Sequence, residues 1–335
     1  MRLFEHGGDV TAFAKTCGCS NNEVVDLSSN INFVKPKIAI DFNNLEIAPY
    51  PNYDTLYSSI ASHYGVKVEE IELFNGGSSA IFSLFRELKL SHCTLYSPAY
   101  LEYKKASEVF SYNLQIINRL NNFKEEVIQN SLVIFVNPST PDGMFYDIEF
   151  LLQKWHEKNC TVLIDESFIE FTFFSSATHY LRKYPNLYIL KSMTKFFGSA
   201  GIRVGTLLSQ SQNIKALKKK EPLWKLSSFD SAYIQAVLKD KTFKEHSEIK
   251  NEKSKTYLLE ILNNSSYIKK VYHSTANYIL VELKGITAKE LQIKLLPYKI
   301  MIRSCENFDG LDAYHVRIAV KSIENLTLLK KALNA

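Results

Sequence analysis

Apolar positions along this chain follow helical and strand periods in turn. Residues 51–64 carry apolar side chains at helical spacing and stop at Gly65, which predicts an amphipathic helix. A helix after Ser79, a strand over 94–96, a helix over 100–110 and a strand over 132–136 are expected next. A helix over 148–157 and strands over 162–164 and 187–190 continue the series. Short, wholly apolar strands separated by helices are those of a mostly parallel sheet covered on both faces. After about Trp224 the pattern changes to long charged helices, then strands over 276–282 and 316–320. The expected architecture is therefore α/β. A large unit at 41–225 has a mostly parallel sheet sandwiched by helices, and a smaller α+β unit occupies 226–335. Residues 1–40 form an arm packed on the smaller unit, and Pro222 punctuates the junction.

In such sheets ligands bind beyond the carboxyl ends of the strands, where Asn137, Asp165 and Lys195 all fall. An apolar strand runs through Tyr188 into Ser192, Thr194 and Lys195, followed by a small-residue loop and Arg203. A lysine held in a dry pocket has a lowered amine pKa and can attack a carbonyl. Two hydroxyls and a guanidinium are the donors that a phosphate monoester needs. Together these make the grip of pyridoxal phosphate (PLP). Upstream, the apolar run 161–164 ends in Asp165 and Glu166. A buried acid there needs a charged or hydrogen-bonded partner, which a pyridinium nitrogen supplies; capping of the next helix is the alternative use. Asn75-Gly-Gly-Ser78 precedes an apolar helix and offers free backbone amides to an anion, without the spacing of a nucleotide loop. Tyr100, at a strand end, offers a flat face to an aromatic ring.

Taken in order, Asn75-Gly-Gly-Ser78, Pro98-Ala-Tyr100, Asn137-Pro-Ser-Thr-Pro-Asp-Gly143, Asp165-Glu-Ser-Phe168, Ser192-Met-Thr-Lys195 and Arg203 resemble the aspartate-aminotransferase superfamily of PLP enzymes over nearly the whole chain. Within it the chain is similar to histidinol-phosphate aminotransferase and to the threonine-phosphate decarboxylase of cobalamin synthesis. The resemblance implies PLP fold type I, a Schiff base at Lys195, a pyridinium partner at Asp165 and ring stacking on Tyr100. It places the cofactor phosphate on Gly77, Ser78, Ser192, Thr194 and Arg203. It also implies a homodimer with a shared site, in which Tyr50 reaches a phosphate across the interface. Two positions depart from the aminotransferase pattern. Thr140 replaces an asparagine, and Phe168 a tyrosine, that bond the cofactor's 3′ oxygen.

Phe4-Glu-His6-Gly-Gly-Asp9, the segment 26–32 read as a strand containing Asn30, and the stretch 302–311 are closer to the decarboxylase pattern. Arg303 and Arg317 are the candidate clamps for substrate carboxylate and phosphate, with either assignment open, and His6 and Asn30 are further substrate candidates. An arginine that sets the carboxylate in the ring plane favours proton loss and transamination, whereas one that turns it out of plane favours loss of carbon dioxide. The leading reading is decarboxylation of a phosphorylated amino acid, threonine or serine phosphate. An aminotransferase of the histidinol-phosphate type and a non-catalytic ligand-binding domain are the alternatives.

Composition narrows this only at the edges. The 335 residues are 46% hydrophobic, ample for a large and a small domain. The net charge of +5 is diffuse apart from a lysine-rich stretch at 215–220, and no nucleic-acid motif accompanies it. Five cysteines, with Cys17 and Cys19 too close for the usual metal or redox pair, suggest reduced thiols and no metal site. The start lacks an apolar leader and no run is long enough to span a membrane, so a cytoplasmic enzyme is expected.

Overall fold

The structure, a computed structural model, describes residues 7–335. The expectation for His6, with Phe4 and Glu5, therefore lies outside the described residues. The arm contains helix α1 (Val10–Cys17), capped by the Asp9 carboxylate, and the short strand β1 (Val25–Asp26). The central part runs α2 (Asp54–Tyr64), β2 (Ile71–Asn75), α3 (Gly76–Leu88), β3 (His92–Ser97), α4 (Glu102–Val109), β4 (Asn113–Asn118) and β5 (Leu132–Val136). It continues through α5 (Glu149–Glu157), β6 (Thr161–Asp165), β7 (Leu187–Ser192), α6 (Met193–Phe196), β8 (Val204–Leu208) and α7 (Ser211–Lys218). Then follow α8 (Ser228–Val237), α9 (Phe243–Asn263), β9 (Ile268–Val271), β10 (Tyr278–Leu283), α10 (Ala288–Leu295), β11 (Ile300–Met301), β12 (Arg303–Ser304), β13 (His315–Ala319) and α11 (Ile323–Asn334).

Seven strands form the main sheet in the order β2-β8-β7-β6-β5-β3-β4, and only β8 runs against its neighbours. Successive residues of a strand point to opposite faces. Val133, Phe135, Val162, Ile164 and Ile189 meet Leu152 and Trp155 of α5 and Ile60 of α2 on one side. Leu132, Ile134, Leu163 and Leu190 meet Leu84 and Phe85 of α3 on the other. Both faces are buried, which is why these strands read as continuous apolar runs. The same alternation brings Asp165 and Ser192 out on the α3 side, at the carboxyl ends of β6 and β7.

A four-stranded antiparallel sheet, β12-β13-β10-β9, has its own core of Ile279, Val281, Val316 and Ile318 against Leu258, Ile261 and Leu326. Val25 and Leu27 of the arm join this core while Val34 joins that of the main sheet, so the arm spans both. Leu226, Ile234, Val237 and Phe243 also pack in the main core. We therefore place the division between the units inside α9, beyond residue 225.

Other expectations need adjustment. The strand expected over 26–32 is reduced to Val25–Asp26, paired in parallel with Ile300–Met301. The helix expected after Ser79 begins at Gly76, and Lys195 lies in a one-turn helix rather than directly on the strand end. No described helix is long and apolar enough to cross a membrane, and all five cysteines are free.

Candidate active site

Two glycines shape the floor of the site. β2 turns into α3 at Gly76, whose φ of +78° suits a residue without a side chain. A Cβ there would lie 2.3 Å from Nη2 of Arg203. One strand across, a Cβ on Gly205 would meet the Gly76 carbonyl carbon and the Gly77 nitrogen at 2.7 Å each. Bare backbone at both positions lets β8, the start of α3 and the Arg203 guanidinium converge. The first-turn amides of the 13-residue α3 have no intrahelical acceptor, and the helix dipole favours an anion there. Ser192 Oγ and Thr194 Oγ1, 2.9 Å apart, complete the donors around this end of a cavity of about 260 Å³ that Gly77, Ser78 and Arg203 also line.

Lys195 enters the same cavity from α6. Its surface faces the cavity rather than bulk water, and burial, with Arg317 and Arg203 adding to it, lowers its amine pKa to about 8. The neutral amine is the nucleophile, so attachment of pyridoxal phosphate to the cofactor-free chain should quicken with rising pH and level off above about 8. An ordinary lysine would keep accelerating to about pH 10.4. Stopped-flow absorbance across a pH series checks this; a rate still climbing past pH 9.5 would mean an unperturbed amine.

Asp165 is 5% exposed at the end of β6. Its Oδ1 accepts from the Ser167 amide at 2.9 Å and the Ser167 hydroxyl at 2.5 Å, and its Oδ2 from Tyr103 Oη at 2.6 Å. Burial raises its pKa and these bonds partly offset the rise. Asp165 forms no ion pair among the described residues. Its neighbour Glu166 points to the opposite face, in a buried ion pair with Lys191, and accepts from Ser176 Oγ and the Ala177 amide, both at 2.6 Å. The helix-capping alternative does not hold for Asp165, whereas Glu166 takes the first amide of the short 3-10 helix Ala177–Tyr180. Tyr100 lines the cavity with its hydroxyl 3.3 Å from Ser78 Oγ, and its ring stands edge-on to Tyr103 at 6.3 Å. Tyr103 and Ser167 escaped sequence reading. Tyr103, one helical turn past Tyr100, was the available signal.

The far wall comes from the smaller sheet and the arm. Arg303 and Arg317 are register partners on β12 and β13 and both line the cavity. Burial, with Arg317 alongside, pushes Arg303 down to about 10, and burial also lowers Arg317. Arg303 donates to the Ser304 carbonyl at 2.6 Å and to Asn307 Oδ1 at 2.8 Å. Arg317 donates to Thr140 Oγ1 at 3.2 Å and to the Ser28 carbonyl at 3.0 Å, while its Nε is buried without a partner among the described residues. Asn30, also at the cavity, has a buried Oδ1 without a partner among the described residues. Thr140 is held from behind by Arg119, which donates to its carbonyl at 2.8 Å and to Asp142 at 3.0 Å. Phe168 lines the cavity and packs edge-on against Tyr278 at 5.0 Å; Phe308 is a lining residue that the sequence did not flag. Tyr50 is the one expected residue of the described chain that stays away. It is 74% exposed and stacks on Trp224 at 4.0 Å.

The residues present fit pyridoxal phosphate. A desolvated lysine, a phosphate-sized set of donors and a buried carboxylate lacking a cation converge on one cavity with an aromatic wall. A pyridinium nitrogen is the cation that Asp165 lacks. A family model for aminotransferases of class I and II matches residues 22–333. The chain is 31% identical over 350 residues to the adenosylcobalamin biosynthesis bifunctional protein CobDQ of Leptospira interrogans, covering 97% of this chain. It spans only 40% of that relative's length. It is 26% identical over 353 residues to the threonine-phosphate decarboxylase of Salmonella typhimurium, covering 96% of this chain and 94% of the relative. The solved histidinol-phosphate aminotransferase of Clostridium acetobutylicum superimposes with a TM-score of 0.84 at 30% identity, covering 92% of this chain and 97% of that one.

Proposed function

The chain belongs to the class I and II aminotransferase family, whose enzymes use pyridoxal phosphate, and on that premise we propose that it decarboxylates a phosphorylated amino acid. The substrate is L-threonine phosphate or its serine analogue, and the setting is cobalamin synthesis, as the names of its relatives suggest. One observation carries the reading: Arg303 and Arg317 stand side by side in the cavity wall, each disfavoured as a cation by burial. Two guanidiniums held together call for two anionic groups, and an amino-acid phosphate ester brings a carboxylate and a phosphate on one small molecule.

When bound, the cofactor draws off the electrons of whichever bond to the substrate's α carbon breaks. The protein supplies the rest. Lys195 carries the cofactor between turnovers and, with its amine near pH 8, exchanges protons at neutral pH. Asp165 stabilises the charged ring nitrogen, and Tyr103 and Ser167 hold the carboxylate in place. The arginines fix the substrate carboxylate and so select the bond. Thr140 Oγ1 accepts from Arg317 and keeps one O–H to donate, while Phe168 has none, so the cofactor's 3′ oxygen would have fewer donors than the family pattern gives it. One methyl group is worth only ~1 kcal/mol, too little to choose threonine over serine phosphate from the cavity wall.

The likeness to a solved histidinol-phosphate aminotransferase supports a second reading, amino transfer, in which the two arginines serve the anions of successive substrates. An incubation of the PLP-loaded enzyme with L-threonine phosphate and no keto acid separates the two. Release of carbon dioxide and aminopropanol phosphate is expected. Silence in that assay, with amino transfer to 2-oxoglutarate from histidinol phosphate, would overturn the decarboxylase. We further propose a homodimer in which the exposed Tyr50 completes the partner's site. The same assay across a dilution series tests it, since full activity from a species that sediments as a monomer would exclude a shared site.

A further inference from the structure

The turn that carries Lys195 is held only in part by its own loop, where the Gly198 and Ser199 amides donate to the Lys195 and Thr194 carbonyls at 3.3 and 3.2 Å and Ser199 Oγ donates to the Met193 carbonyl at 3.0 Å. α6 is a single turn of four residues, and the carbonyls at the end of a helix have no intrahelical donor. Two consecutive carbonyls of this turn also accept from the arm, and for the Phe196 carbonyl the arm supplies the side-chain donor. The Asn32 backbone amide donates to the Lys195 carbonyl at 3.0 Å, and Asn32 Nδ2 donates to the Phe196 carbonyl at 2.8 Å. The Asn32 side chain is buried, at 4% exposure, and its capacity is fully used. Its second hydrogen goes to Ser247 Oγ of α9 at 2.7 Å, and its Oδ1 accepts from the Val34 amide at 3.1 Å and Asn251 Nδ2 at 3.0 Å. A satisfied buried amide of this kind is rigid, because each bond limits the geometry of the others.

We infer that Asn32 is a positioning residue for Lys195: it clamps the lysine's turn to α9 and to the arm segment whose Asn30 faces the substrate cavity. Two residues upstream, Asn30 lines the cavity while Asn277 holds its carbonyl at 3.0 Å. Lys321 bonds the Ile31 carbonyl at 2.9 Å, so the short stretch between cavity and lysine turn is pinned at every residue. The arm is thereby part of the machinery that aims the amine, beyond its packing on the smaller sheet. This rests on Lys195 as the cofactor lysine and is independent of which bond the enzyme breaks.

The test is Asn32→Ala in the PLP-loaded protein, read by the pH titration of its visible band, by kcat and KM, and by thermal melting. A misplaced amine should move the band's titration midpoint by about 0.5 pH unit or more. It should also lower kcat at least about tenfold with KM within about threefold, since small displacements of a reacting group are felt strongly. A lower melting temperature with midpoint and kcat unchanged would reduce Asn32 to a tether and overturn the inference. If Asn32→Ala does not fold, Ser247→Ala decides: it removes one of the two bonds that Asn32 makes with α9 and leaves that from Asn251, a smaller shift of the midpoint in either direction supports the inference, and an unmoved midpoint overturns it. Failure of the decarboxylation assay leaves these spectral readouts intact, so the two proposals fail separately.

Discussion

Replacing Lys195 by alanine is expected to lower turnover by about 10³-fold or more. In the proposed reading the side chain both attaches the cofactor and exchanges protons from an amine with pKa about 8, and proton transfer alone typically contributes 10²–10⁴-fold. The phosphate cradle of Gly77, Ser78, Ser192, Thr194 and Arg203 does not depend on that amine, so the variant should still take up cofactor, reversibly. Borohydride reduction followed by mass measurement separates the two effects: the wild-type chain gains one cofactor less an oxygen atom (water lost in the condensation, two hydrogens added by reduction) and the variant gains nothing. A reduced adduct on the variant chain would assign the attachment to a different lysine. The obvious competitor is Lys191, four residues earlier. It is buried in an ion pair with Glu166 on the far face of the sheet and does not line the cavity.

Asp165→Asn should produce the second largest loss. The amide keeps the shape and its oxygen can still accept from Ser167, but its NH2 would have to donate to Tyr103 Oη instead of accepting from it, and the negative charge proposed to face the ring nitrogen is removed. Deleting one member of a buried charge pair costs ~3–5 kcal/mol, or roughly two to three and a half orders of magnitude in an equilibrium constant. We therefore expect cofactor affinity and kcat to fall together, with the phosphate cradle retaining residual binding. Equilibrium dialysis of cofactor and initial-rate kinetics on the same preparation give both quantities. A variant with normal affinity and normal rate would mean that another acid faces the ring. Glu166 is the nearest candidate, and its bonds to Lys191, Ser176 and Ala177 hold it on the other face.

How legible the site was depends on the distance over which each signal acts. Ser192, Thr194 and Lys195 lie within one turn of chain, so their spacing reported a common site directly, and Asp165 was visible as an acid ending an apolar run. Tyr103 and Ser167 were equally local and were overlooked because tyrosine and serine are common in this chain. The strands missed were of another kind. β2 carries Glu72, buried but bonded by Tyr57 at 3.1 Å and paired with Lys225, so a core strand looked polar. β4, at the sheet edge, is partly exposed. β8 has Gly205 at the point where α3 must approach, which weakens its apolar pattern.

The chain by itself determined the alternation of buried strands and covering helices, the position of the chemistry at the strand ends, and the lysine, acid and hydroxyls that point to the cofactor. These follow from backbone periods of two and 3.6 residues, which every short segment displays without reference to the rest. The tertiary structure alone decided that Arg203 lies over Gly76, that Arg303 and Arg317 meet across two strands, that Asp165 forms no ion pair among the described residues and that Asn32 bonds the turn of Lys195. Each of these joins residues far apart in the chain, and it is the packing and register of whole elements that brings them within bonding distance.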